Sequence, residues 1–484
     1  MQLKNNLLLR DKAFINGNWI DAESNFEVLN PFNGRIIGTV PNLGIQETNE
    51  AIEAASNAFK VWKKETASNR AKILNKWAEL VLTNVDDLAL LLSTEQGKPI
   101  KEALGEIKYG ASYITWFAEE ARRINGDIIP SPSNDKKMFV LKQPIGVIAA
   151  ITPWNFPNAM IARKVAPALA AGCTVLLKPA EDTPLSALAL AYLASEAGIP
   201  AGVFNVLTTN KPAEIGDTLL NSEKVQKLSF TGSTEVGKAL MRKCADTVKN
   251  VSLELGGNAP FIVFEDADIA QAVKGAITSK YRNSGQTCVC ANRFFIHENI
   301  ATEFTTLLLE EVKKLKSGSG LEEGVQIGPL INSAAINKIE SLIEDAVNKG
   351  AQILIGGKIN SAFGAALFEP TVLSNINDTM AISTTEIFGP VAAITTFSSE
   401  EEVIKKANDS RAGLAAYFYG NNYSQIWRVA EELEYGMVAI NTGIMSTELA
   451  PFGGVKESGI GREGSKYGIE EYLELKYLCM GGLN

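Results

Sequence analysis

The chain has 484 residues, enough for roughly three domain-sized units, with 46% hydrophobic side chains, 21% charged side chains and a net charge of −9. That apolar fraction excludes disorder as the main state, and the acidic balance argues against nucleic acid or an anionic membrane surface as a partner. The most apolar stretch, Ala168 to Leu177, is bounded by Pro167 and Lys178 and falls short of the roughly 18 residues that a spanning helix needs.

In chain order, two short strands are predicted at Ala13–Ile20 and Arg35–Val40, with Asn30-Pro-Phe-Asn-Gly34 as the turn between them. Apolar residues at three- and four-residue spacing predict helices over Ala51–Trp62, Ser68–Thr83 and Ile100–Ile124, so the chain to about residue 121 reads as mostly helical. From Gln143 strands alternate with helices. The strands are predicted at Ile145–Thr152, Thr174–Lys178, Val203–Leu207, Lys227–Phe230 and Val251–Leu255. The helices between them are predicted at Pro157–Ala171, Pro184–Gly198, Ala213–Asn221 and Thr234–Val248. This order predicts an α/β fold with a parallel sheet and helices packed on its faces, which binds ligands beyond the carboxyl ends of its strands.

A second αβ series begins at Pro260–Phe264, with a helix at Asp268–Arg282. It continues through Arg293–Ile296, Glu303–Lys316, Ala335–Lys349, Gln352–Ile355, Val391–Phe397, Glu401–Ala407, Ala415–Tyr419 and Met437–Asn441. Two extended stretches, Asp127–Leu141 and the alternating tail Gly468–Leu478, lie outside both series and suggest an arm that joins subunits.

The single histidine, His297, ends a predicted strand, where a structural role is the simpler reading. Acid–base work then falls to carboxylates, Lys or Cys. The five cysteines, Cys173, Cys244, Cys288, Cys290 and Cys479, are too few for a secreted disulfide scaffold. Met1–Arg10 carries Leu7-Leu8-Leu9 but no long apolar core or cleavage signal. Both fit a cytoplasmic, reducing setting.

The best nucleophile candidate is Cys288 in Asn283-Ser-Gly-Gln-Thr-Cys288-Val-Cys290, where Gly285 and small polar residues follow a helix and can present a thiol to a cleft. Such a thiol, with an ordinary pKa of roughly 8.5, needs a lowered pKa or a nearby base. A small, buried, apolar Cys288 accounts for the position equally well. The Cys-x-Cys spacing is not read as metal-binding, because zinc takes four ligands and the other cysteines are isolated.

Glu254, in Val251-Ser-Leu-Glu254-Leu-Gly-Gly, is a carboxylate inside an apolar strand. Desolvation there would raise its pKa and make it a general base; a surface-facing strand residue is the alternative. Asn155, in Thr152-Pro-Trp-Asn155-Phe-Pro, follows the first sheet strand, where its amide can donate to an oxyanion or cap the next helix. Gly232 and Ser233 form a strand-to-helix turn able to hold a pyrophosphate, though not the G-x-G-x-x-G fingerprint. Lys178 and Glu181 end the second strand, within reach of an adenosine ribose, and a carboxylate there would repel a 2′-phosphate and favour NAD over NADP.

Together these segments resemble the aldehyde dehydrogenase superfamily over essentially the whole chain. The motifs are Pro153-Trp-Asn155-Phe-Pro, Lys178-Pro-Ala-Glu181, Phe230-Thr-Gly-Ser, Leu253-Glu254-Leu-Gly-Gly, Gly285-Gln-Thr-Cys288, Glu386-Ile-Phe388-Gly-Pro and Pro451-Phe-Gly-Gly454. The resemblance implies Cys288 as nucleophile, Glu254 as base and Asn155 as oxyanion donor. It implies NAD, with NADP as the alternative, bound by Trp154, Lys178, Glu181, Gly232, Ser233, Glu386 and Phe388. It also implies a Rossmann-type cofactor domain (residues 1–121 and 145–256), an α/β catalytic domain (257–456) and an oligomerisation arm and tail (122–144 and 457–484). No metal is implied, and the assembly is expected to be a homodimer or homotetramer.

The branch acting on succinate semialdehyde is the most similar, in Ile161-Ala-Arg163-Lys-Val, Lys280-Tyr-Arg282-Asn, Cys288-Val-Cys290, Gly443-Ile-Met-Ser446 and Gly461-Arg-Glu-Gly-Ser-Lys-Tyr-Gly-Ile469. Arg suits a carboxylate, which it holds in a bidentate fork. The resemblance implies Arg163, Arg282 and Ser446 as a clamp for the substrate's anionic end; the alternative is that each Arg pairs with a structural carboxylate. It implies NAD(P)-dependent oxidation of succinate semialdehyde, as in γ-aminobutyrate breakdown. Glutarate semialdehyde or another aliphatic aldehyde is the rival substrate. A nicotinamide-independent Cys thioesterase or acyltransferase is the rival chemistry. Cys288 and Cys290, at i and i+2, would also allow a reversible strained disulfide, against a structural Cys290.

Overall fold

The computed structural model describes residues 1–360 and 366–483. Residues 361–365 of the expected catalytic domain and residue 484 of the expected tail lie outside them. The first sheet has, in spatial order, strands Asn18–Ile20, Ala13–Ile15, Phe204–Val206, Thr174–Lys178, Val147–Ile151, Val225–Thr231, Asn250–Glu254 and Gly459–Ile460. The five central strands are mutually parallel, and Thr174–Lys178 is buried at every position, as a parallel strand covered on both faces must be. Neighbouring strands are antiparallel at both ends.

The chain order of the central strands reverses direction at Val147–Ile151 and Val225–Thr231, which lie side by side. This is the switch point where loops diverge and leave a crevice. The loops holding Asn155 and Ser233 leave these two strands.

The second sheet runs Gln352–Ile355, Thr371–Ser374, Val391–Phe397, Ala291–His297, Ala259–Val263, Ala415–Tyr419 and Met437–Ile440, parallel except for its first pair. A third, antiparallel sheet joins Leu473–Met480, Lys137–Pro144 and Asp127–Ile129. The expected arm and tail therefore pair with each other, after Gly459–Ile460 has added an edge to the first sheet.

Several predicted elements differ. Ala13–Ile20 is a hairpin, because Asn16 (φ 52°) and Gly17 (φ 78°) turn the chain within the apolar run. Strands Asn25–Leu29 and Thr371–Ser374 and helices Val85–Gln96 and Tyr423–Glu432 were not expected. His297 ends its strand as predicted; its Nδ1 accepts the Asn299 N–H at 3.4 Å. Among the described residues, no helix is long and apolar enough to cross a membrane.

Candidate active site

The loop after Val147–Ile151 carries Asn155, which is 3% exposed. Its Nδ2 donates to the Gln286 carbonyl at 3.1 Å, leaving one amide N–H for another acceptor. Its own carbonyl accepts from Lys98 Nζ at 2.7 Å and from Asn283 Nδ2 at 3.1 Å. Asn155 does not cap the following helix, Ala159–Ala171, whose N-cap position is Asn158. Glu106 accepts the N–H groups of Asn158 and Ala159 at 2.9 and 3.2 Å.

The nucleophile loop begins where helix Ile269–Tyr281 stops. Asn283, Ser284 and Gly285 all have left-handed backbones, with φ of 50°, 55° and 76°. For the two non-glycine residues this costs about 1–3 kcal/mol each, so the surroundings must hold the turn. Ser284 Oγ donates to the Gly328 carbonyl at 2.9 Å, and Asn283 Nδ2 to the Gln286 carbonyl at 3.1 Å. Gln286 Oε1 accepts the Ile331 N–H at 3.0 Å. A Cβ at residue 285 would lie 2.1 Å from the Gly389 carbonyl oxygen, so only glycine fits there.

This turn sets Cys288 where two cavities meet, one of about 280 Å³ and one of about 370 Å³. Burial pushes the Cys288 thiol up to about 12; Arg163 and Arg282 oppose this, while Glu386 and Glu254 add to it. The side chain rests as a thiol and needs a base to become a nucleophile.

Glu254 lines the larger cavity with Cys288. It is 4% exposed, so it is not a surface-facing strand residue, and neither carboxylate oxygen has a hydrogen-bond partner among the described residues. Burial, then the nearby Glu463 carboxylate, holds Glu254 well above the usual range, against Arg163, Lys164 and Arg462. A raised carboxylate is a stronger proton acceptor once ionised.

The larger cavity also takes in Trp154, Gly232, Ser233, Glu386 and Phe388. Ser233 caps helix Thr234–Ala245 by accepting the Val236 N–H at 3.3 Å. Glu386 accepts the Gly257 N–H at 3.0 Å, and burial pushes it up to about 7. Trp154 and Phe388 meet edge to face at 5.5 Å, and Phe388 has the uncommon φ of 58°. Lys178 and Glu181 pair at 3.0 Å, at the end of the strand beside Val147–Ile151.

These residues fit a dinucleotide. Thr231 Oγ1 on the groove wall is buried and unpaired among the described residues. A Cβ at Gly256 would lie 2.9 Å from Glu386 Oε2, so glycine keeps the groove open. The N-terminus of the Thr234–Ala245 helix offers backbone N–H groups to an anion.

The smaller cavity takes in Arg163, Arg282, Ser446 and Phe156. The two arginines differ. Arg163 is 2% exposed, lies 3.9 Å from the Phe452 ring centroid and pairs with Glu463, 2.7 Å between Nη2 and Oε2. Arg282 stands 5.6 Å from the Phe156 ring centroid and has no carboxylate within ion-pair distance among the described residues. Cys290 lines neither cavity; its buried thiol donates to the carbonyls of Lys280 and Ala291 at 3.4 and 3.5 Å.

Sequence reading missed Lys98, Glu106, Lys164 and Glu463. Lys98 and Glu106 pair at 2.5 Å, and Lys164 reaches Glu463 at 2.6 Å. For Glu106 and Lys164 the signal was charge at buried helical positions: Arg163-Lys164 lies in a helix buried at every residue, which demands a counter-ion.

Residues 19–478 match the aldehyde dehydrogenase family. The chain is 58% identical over 482 residues to a glutarate-semialdehyde dehydrogenase of Pseudomonas putida, covering 99% of this chain and all of that one. It is 55% identical to the NADP(+) succinate-semialdehyde dehydrogenase GabD of Escherichia coli, covering 99% and 100%. A crystal structure of succinate-semialdehyde dehydrogenase from Burkholderia pseudomallei superimposes with a TM-score of 0.98 at 56% identity, covering 99% and 100%. With thiol, buried carboxylate and amide gathered at one switch-point crevice, and with likeness running from end to end, the chain belongs to the aldehyde dehydrogenase family.

Proposed function

We propose that this enzyme oxidises succinate semialdehyde to succinate. Arg282 carries the choice of substrate: it is a guanidinium in the same 280 Å³ cavity as Cys288, without an ion-pair partner among the described residues. An aldehyde carbon needs no cation, but a substrate with a carboxylate at its far end does.

Glu254 takes the Cys288 proton, and the sulfur attacks the aldehyde carbon. Asn155 Nδ2 and the Cys288 backbone N–H donate to the oxyanion so formed. A nicotinamide dinucleotide, held in the larger cavity by Trp154, Ser233, Glu386 and Phe388, would supply the hydride acceptor. Loss of hydride from the thiohemiacetal leaves a thioester on Cys288. Glu254 passes that first proton to solvent and then deprotonates a water that attacks the thioester; the departing Cys288 thiolate takes the proton back from Glu254, releasing the acid and restoring the thiol.

NAD is the preferred dinucleotide, because the Glu181 carboxylate would repel a 2′-phosphate. Glutarate semialdehyde is the second reading, supported by the Pseudomonas putida relative at 58% identity; one methylene is worth only about 1–3 kcal/mol. Ile128 (80% exposed), Leu475 (70%) and Tyr477 (55%) on the third sheet support a homo-oligomer, dimer or tetramer.

Arg282→Ala tests the substrate. It should raise KM for succinate semialdehyde far more than for butanal, and equal losses on both would overturn the reading. Running succinate and glutarate semialdehydes with NAD and NADP in parallel ranks the substrates. Aldehyde consumption without reduced nicotinamide would favour a thioesterase or acyltransferase.

A further inference from the structure

Lys98, just before the Ile100–Glu120 helix, is followed at four-residue spacing by Glu102 and Glu106 in its first two turns. Lys98 and Glu106 brace the Asn155 loop and the helix after it. Glu102 lines the smaller cavity together with Arg282. Its Oε2 accepts the Asn283 N–H at 2.8 Å.

Asn283 is the residue after Arg282 and the first of three with left-handed backbones. A non-glycine residue keeps that conformation only where its neighbours hold it. The Asn283 side chain is held by the Asn155 and Gln286 carbonyls and the Ser284 hydroxyl by the Gly328 carbonyl. At the turn's first N–H the acceptor is a carboxylate oxygen reaching in from another element.

Among the described residues Arg282 has no ion-pair partner in contact with its far end; its guanidinium lies over Phe156 and is attracted to the Glu102 carboxylate only at longer range. Its direction is therefore set from the backbone. We propose that Glu102 is a positioning residue for substrate recognition: by holding the Asn283 N–H it fixes the backbone at Arg282 and aims that guanidinium into the cavity shared with Cys288. This rests on the reading of Arg282 as the carboxylate anchor.

The test compares Glu102→Ala and Glu102→Gln with Arg282→Ala, reading kcat and KM separately for succinate semialdehyde and butanal. Glu102→Ala should lower the kcat/KM ratio of semialdehyde to butanal at least about fivefold, mainly through KM. Glu102→Gln keeps an acceptor for the N–H and should hold that ratio at or above the wild-type value. If the alanine variant does not fold, Glu102→Asp, one methylene too short to reach, should lower the ratio in the same way. Equal losses on both aldehydes, or a glutamine variant as impaired as the alanine one, would overturn the proposal. A normal split in Arg282→Ala with none in Glu102→Ala would remove Glu102 alone; no split in Arg282→Ala would remove the anchor reading beneath it.

Discussion

Arg163 and Glu463 form an ion pair with 2.7 Å between Nη2 and Oε2, and neither side chain is more than 5% exposed. Lys164 meets the other oxygen of the same carboxylate at 2.6 Å. Glu463 thus distinguishes the cavity's two arginines: it pairs with Arg163, and Arg282 has no ion pair among the described residues. It also sets a negative charge near Glu254, whose proton it helps to hold.

Glu463→Gln should shift the pH dependence of turnover. Burial first, then Glu463, raises Glu254, while Arg163, Lys164 and Arg462 lower it. Removing the Glu463 charge leaves the cations unopposed, so Glu254 ionises in more acidic solution. Only ionised Glu254 accepts a proton, so the acid limb of kcat against pH should move down by about one unit. The two unpaired cations should also cost about 3–5 kcal/mol of stability, seen as a lower Tm. An acid limb that stays put or moves upward would contradict this.

Asn155→Ala tests the proposed donor to the oxyanion. Loss of one such donor should lower kcat about 10²–10³-fold, with a much smaller change in KM. Steady-state kinetics decide it, and a loss of only a few-fold would leave the role to backbone N–H groups alone.

Alkylation of Cys288 by iodoacetamide, without coenzyme, should keep accelerating with rising pH. With the thiol pushed up to about 12 by burial, the reactive thiolate grows about tenfold per pH unit up to at least pH 10. A plateau near the pKa of an ordinary cysteine would contradict this.

Glu181→Ser should shift coenzyme choice. The change removes the carboxylate and frees Lys178 from its 3.0 Å partner, so that the ammonium can meet a 2′-phosphate. The ratio of kcat/KM for NADP to that for NAD should rise at least about tenfold, near 1.4 kcal/mol of preference. An unchanged ratio would place the discrimination elsewhere.

Much of the fold was legible because the sheets are buried. Thr174–Lys178, Val391–Phe397 and Ala415–Tyr419 match the predicted strands residue for residue, each a short, mostly apolar run of strand length. In helix Val85–Gln96 the same burial hid the element: it is buried on nearly all sides, so its apolar residues show no one-sided period. Cys288, Glu254 and Asn155 could be picked out because each sits in a short motif. Glu463 could not be matched to Arg163 in the same way, since 300 residues separate them and only folding brings them together. The left-handed backbone at Phe388 likewise has no signature in its residue type.

The sulfur of Cys288 belongs to two chambers with different walls, one carrying both arginines among aromatic side chains and one running past Gly232, Gly256 and a helix end. A molecule seated in one leaves the other free. Succinate as a dead-end ligand should therefore compete with the aldehyde while leaving nucleotide occupancy intact.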